Sequence, residues 1–66
     1  MEIVINGTAH QLPDETSLDR AVALITDSAT GIAVAVNGDV VHRVSWPRVR
    51  LAPGDRVEVL TAVQGG

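Results

Sequence analysis

Apolar and polar positions alternate from the first residue. Met1, Ile3 and Ile5 share one face and Glu2, Val4 and Asn6 the other, the period-two signature of a strand. Asn6-Gly7 follows, and both residue types tolerate the positive φ of a tight hairpin turn. A return strand is therefore predicted over Thr8 to Leu12. A two-residue loop sets Ile5 against Thr8, Ile3 against His10 and Met1 against Leu12. That register turns His10 toward the core, where, with no partner for catalysis or metal binding nearby, a structural role is expected.

The period then changes. Pro13-Asp14-Glu15 breaks the hairpin, and Thr16-Ser17-Leu18-Asp19 fits a capping box whose hydroxyls can satisfy orphan helix amides. Leu18, Ala21, Val22 and Ile25 follow the i, i+3, i+4, i+7 spacing, and Leu24 widens the stripe. One amphipathic helix of about three turns is predicted, ending near Thr26-Asp27, with a loop through Gly31.

Ile32-Ala33-Val34-Ala35-Val36 alternates large with small. Its branched face suits burial under the helix, and its alanine face has little relief, so a partner can lie close against it. Asn37-Gly38 gives a second hairpin turn into a strand over Val40 to Val44, closed by Trp46-Pro47. Trp46 is expected to cap the edge of the core, and His42 to face solvent beside Arg43. Pro53-Gly54-Asp55 turns the chain into a last strand, Arg56 to Val63. There Val57, Val59, Thr61 and Val63 share one face, while Glu58, Leu60 and Ala62 share the other. The expected core is Ile3, Ile5, Leu12, Leu18, Val22, Ile25, Ile32, Val34, Val36, Val57 and Val59.

Composition narrows the functional classes. Sixty-six residues make one small domain, and the absence of cysteine excludes disulfides, thiolate metal sites and a cysteine nucleophile. One Trp is the only aromatic residue, too little for a deep apolar substrate pocket, which argues against a self-contained enzyme. The net charge is -3 and the five basic residues are scattered arginines, so no basic stripe addresses nucleic acid. No apolar run approaches the roughly 20 residues of a membrane span, and no signal sequence opens the chain; a cytoplasmic protein is expected.

What remains is the end of the chain, Val63-Gln64-Gly65-Gly66. Terminal glycines weaken the strand they follow and can be a frayed end. Their physical use is access: a backbone without side chains threads a narrow slot and delivers its carboxylate, here reaching roughly 15 Å from Ala62. Behind it, hairpin, helix, strand, return and terminal strand imply an α+β β-grasp architecture. One main helix would cross a mixed sheet of four to five strands, with the first and last strands side by side in the middle. Residues 1–62 are expected to form this domain and 63–66 a flexible tail. Leu60, Glu58 and Ala62, next to Ala33 and Ala35, are the candidate docking patch.

In order along the chain, Asn37-Gly38, Val41, Arg43, Trp46, Gly54-Asp55-Arg56-Val57-Glu58 and Ala62-Val63-Gln64-Gly65-Gly66 resemble the ThiS family, the ubiquitin-like sulfur carriers of thiamine biosynthesis. The resemblance spans essentially the whole chain. His42 departs from it, standing where the family commonly has proline. The small subunit of molybdopterin synthase shares the Gly-Gly end but is usually longer and more aromatic before it; a ubiquitin-like protein modifier is a further alternative.

The resemblance implies a carrier and no catalyst. An adenylating enzyme would couple the Gly66 carboxylate to AMP using its own ATP and Mg²⁺, with Gly65 and Gln64 giving access. A persulfide sulfur donor would convert the adenylate to a thiocarboxylate, and thiazole synthase would accept the sulfur. No cofactor is bound permanently.

Overall fold

The computed structural model describes residues 1–27 and 30–61. Strands β1 (Glu2–Ile5) and β2 (Thr8–Gln11) form the first hairpin, and helix α1 (Leu18–Ala23) follows. β3 (Ile32–Val36) and β4 (Asp39–Val41) form the second hairpin, and a 3-10 helix (Arg43–Arg48) leads toward β5 (Arg56–Thr61). The sheet order is β2-β1-β5-β3-β4. β1 runs parallel to β5, whose other neighbour, β3, is antiparallel. The expected mixed sheet therefore has five strands, with β1 and β5 adjacent at its centre.

The first hairpin has the register that its two-residue turn dictates: Ile5 opposite Thr8 and Ile3 opposite His10. Past the ladder, the Leu12 N–H donates to Met1 O at 2.9 Å and the Met1 ammonium to Leu12 O at 2.7 Å. Alternation then sorts burial. Ile3 and Ile5 are core, Glu2 is exposed, and His10 is half-buried.

The helix is shorter than its stripe suggests. It ends at Ala23, where the Leu24 and Ile25 N–H groups bond three residues back to Ala21 O and Val22 O, the tighter closure common at helix ends. That closure swings the rest of the stripe outward. Ile25, expected in the core, is 39% exposed and Leu24 58%. Nor do hydroxyls cap its start. Thr16 Oγ1 donates to Pro13 O at 2.6 Å and Ser17 Oγ to Asp19 Oδ1. The Leu18 N–H instead donates to Val49 O at 2.8 Å, and the Leu51 N–H to Thr16 O at 2.9 Å. The Val49 carbonyl thus takes a helix amide expected to be met by side chains, and the Leu51 N–H ties Thr16 to the same segment.

The second correction lies after β4. The expected strand over Val40 to Val44 stops at Val41, and Arg43 and Val44 begin the 3-10 helix, with His42 preceding it. The winding turns Trp46 inward and leaves Val44 79% exposed, and Val49, extended just after the helix, packs against the core. Trp46 is buried in the core itself, its Nε1–H donating to Val41 O at 2.9 Å, which gives the polar end of the ring its partner.

The core between sheet and helices comprises Ile3, Ile5, Leu12, Leu18, Ala21, Val22, Val34, Trp46, Leu51, Val57 and Val59. Ile32 and Val36, expected within it, are half-buried and pack against it. Ala21 and Leu51 join it unannounced by the expected list.

Candidate functional site: the outer face of the sheet at the end of β5

β5 lies between two paired strands, and its period-two alternation sorts it as far as Leu60. Thr61, expected on the inner face with Val57 and Val59, is exposed at the end of the sheet, where it lines a depression with Leu60. Val63 lies outside the described residues. Val57 and Val59 point into the core, while Glu58 and Leu60 point out. On the outer face Leu60 stands opposite Ala33, and Glu58 opposite Ala35. Ala35 in turn faces Val40 across the second hairpin. Ala33 is exposed and Ala35 half-buried. Small side chains at these two positions leave the larger neighbours standing proud: Leu60 is 66% exposed and Val40 69%.

Beside Leu60, where β3 begins, Gly31, Ile32, Ala33, Leu60 and Thr61 line a shallow depression of 320 Å³. Its apolar floor lies at the end of β5 that leads into the tail. A second depression of 300 Å³, lined by Val4, Gly7, Arg56, Val57 and Glu58, lies toward the start of the strand and is charged at its rim. Neither is an enclosed cavity with convergent catalytic groups. The arrangement suits a protein surface rather than a small molecule.

Of the predicted site residues, the structure brings Leu60, Glu58, Ala33 and Ala35 onto one face. Ala62, Gln64, Gly65 and Gly66 lie outside the described residues, as does the predicted boundary between a domain over 1–62 and a tail over 63–66. Val40 is the patch member that the sequence pattern did not single out. Its signal was available, since a two-residue Asn37-Gly38 turn places Val40 opposite Ala35. His10 and His42 join no site. His10 is half-buried opposite Ile3, His42 is exposed, and among the described residues no group of three or more His, Asp or Glu side chains is placed to hold a metal ion. No helix among them is long and apolar enough to cross a membrane.

The comparisons with known proteins agree with this geometry. A crystal structure of a thiamine biosynthesis protein, ThiS, from Geobacter metallireducens superposes with a TM-score of 0.83 at 26% identity, covering 100% of both chains. An NMR structure of a thiamine biosynthesis protein from the same organism matches the fold with a TM-score of 0.76 at 22% identity, covering 100% of this chain and 88% of the other. No curated protein sequence matches the chain. The family model for ThiS matches residues 2–66, an interval that takes in the five-stranded sheet, the outer patch and the Gly-Gly end alike, and the chain belongs to the ThiS family.

Proposed function

We propose that this chain is a sulfur carrier of thiamine biosynthesis, a protein co-substrate acted on by partner enzymes. The observation that carries the reading is the placement of β5. The strand that runs toward Gly65-Gly66 is central, paired on both sides, and on its outer face Leu60 stands exposed beside small alanines next to its exit. A rigid base beside a docking patch lets a partner bind the body while a narrow tip enters its active site, and preorganisation of that kind lowers the cost of association.

In the proposed chemistry the Gly66 carboxylate attacks the α-phosphate of ATP on an adenylating enzyme, with Mg²⁺ there, and pyrophosphate leaves. The terminal sulfur of a persulfide on a donor protein displaces AMP from the acyl carbon. A thiol then cleaves the acyl disulfide and leaves a thiocarboxylate on Gly66, from which thiazole synthase takes the sulfur. Gly65 and Gln64 keep the approach narrow. Leu60, Ala33, Ala35, Glu58 and Ala62 form the surface that the adenylating enzyme recognises.

The tail provides the test. Deleting Gly66 draws the carboxylate back by about 3.3–3.6 Å, beyond the tolerance of an attack that needs oxygen and phosphorus roughly 3–3.5 Å apart and aligned. Gly65→Val instead adds a branched side chain behind a correctly placed carboxylate. Both variants are expected to abolish ATP–pyrophosphate exchange with the adenylating enzyme. Their stability should stay within about 0.5 kcal/mol of the parent, as for changes away from the core. Full activation of the truncated chain would overturn the carrier reading.

A further inference from the structure

The two Asn-Gly turns do more than reverse the chain. Both hold asparagine at positive φ, 50° for Asn6 and 52° for Asn37, and both direct its side-chain amide onto β5. At the start of β5, the Asn37 N–H donates to Arg56 O at 2.8 Å, and Asn37 Oδ1 accepts from the Arg56 N–H at 2.9 Å. Asn37 Nδ2 donates to Asp55 Oδ1 at 3.1 Å.

Toward the exit of β5, Asn6 plays the corresponding part from the other side. Its N–H donates to Val57 O at 2.9 Å, and the main chain then turns away at Gly7. A parallel strand that continued would offer its next carbonyl to the Val59 N–H. Asn6 Oδ1 takes that place at 2.8 Å, and Asn6 Nδ2 donates to Val59 O at 3.2 Å. One side chain thus stands in for one more residue of strand. Val59 is the last core residue of β5, two positions before the strand ends at Thr61.

We propose that Asn6 is a positioning residue for the carrier chemistry: its amide pins the exit of β5, so that the tail leaves the body from a fixed point. The inference rests on the carrier reading above. Adenylation places a carboxylate at the end of a short tail. Beyond Val57 the strand is held by β3 on one side, as far as Ile32 opposite Thr61, and by the Asn6 amide on the other. Losing the amide would free one edge of the strand at the base of that tail. A misplacement of about 1 Å far from the reacting atoms can cost on the order of a hundredfold in rate.

Asn6→Gly keeps a residue at home in positive φ and removes only the amide. Asn6→Asp keeps an acceptor for the Val59 N–H but, when ionised, sets a negative charge against Val59 O. Leu12→Ala, in the core on the far edge of the sheet, serves as the control for general destabilisation. Activation by the adenylating enzyme is measured for all four proteins at a temperature where melting curves show each folded, with amide exchange followed at Val59.

The expected result for Asn6→Gly is a kcat lower by roughly 10- to 100-fold, with KM unchanged because the docking face is intact, and faster exchange at Val59. Leu12→Ala should keep the parental kcat. In Asn6→Asp the ionised carboxylate against Val59 O raises the folded-state pKa of the new acid above its unfolded value. Its melting temperature relative to the parent should therefore recover as pH falls from above toward about 4, where the protonated acid regains a donor for Val59 O. Asn6→Gly should show no such recovery. Parental kcat in folded Asn6→Gly, or an equal loss in Leu12→Ala, overturns the positioning role. Failure of the parent itself to be activated overturns the carrier reading instead.

Discussion

The two faces of β5 differ in everything except their backbone. Inward, Val57 and Val59 are 1% and 6% exposed, packed in the core with Ile3, Ile5 and Val34. Outward, Leu60 is 66% exposed, and its cross-strand neighbour is only an alanine. Burying a Val or Leu side chain is worth roughly 1.5–3 kcal/mol. The inner face has already drawn that stabilisation from folding. The outer face has not, and the same free energy remains available to a partner that covers it. On the proposed reading, alternate residues of one strand serve stability and recognition separately, and substitutions on the two faces should then fail in different assays.

The sharpest way to break that separation is through the inner side. Trp46 supplies the largest side chain of the core and closes β4 through its bond to Val41 O. Trp46→Ala should cost roughly 3–5 kcal/mol, which in a domain of this size leaves little or no folded protein, as read by denaturant titration. Val34 is 1% exposed and sits opposite Val59 on the neighbouring strand. Val34→Ala should cost about 1–3 kcal/mol. Among the molecules that remain folded, tail activation should be unimpaired. A Val34→Ala protein that melts like the parent would mean that the inner face is not where the stability resides.

The contrast also shows what the sequence could and could not reveal. Both hairpins were legible because Asn6-Gly7 and Asn37-Gly38 fix turn length, and turn length fixes register down to the Ile3–His10 and Ile5–Thr8 pairs. Period two then divides β5 from Val57 to Leu60 and fails only at Thr61, which stands exposed where the sheet ends. The helix was overextended because Leu24 and Ile25 continue an apolar stripe that the chain does not bury. Hydrophobicity marks what can be covered, and only tertiary packing decides what is. The 3-10 helix was missed because Val40 to Val44 read as a plausible strand, although Pro47 directly after the only aromatic residue was a sign that the chain winds there to bring Trp46 inward. The helix cap was misassigned because its partner, Val49 O, lies far along the chain and no local motif announces it. For the site, the outer patch followed from alternation alone. The use of Asn6 on Val59, 53 residues away, did not.

The smallest expected effect on stability is the one that most sharpens the comparison. Leu60→Glu replaces an exposed apolar side chain by an exposed charged one, on a strand whose pairing with β3 is made by the backbone. Folding should change by no more than about 0.5 kcal/mol, as for surface substitutions elsewhere. Binding is another matter. A carboxylate at the centre of an apolar contact must lose its water without gaining a partner, at a cost of roughly 1–3 kcal/mol for an unsatisfied polar group and more for a charged one. The affinity for the adenylating enzyme should therefore fall at least about tenfold, since 1.4 kcal/mol corresponds to a factor of about ten. Glu58 is already acidic and next but one along the same face, so the added charge also meets like charge, and part of the loss should be relieved by salt. Calorimetric titration at two ionic strengths measures both terms. Equal affinity of mutant and parent would remove Leu60 from the interface. A mutant that instead lost stability would show that the outer face of β5 supports the fold, and the division of labour between the two faces would not hold.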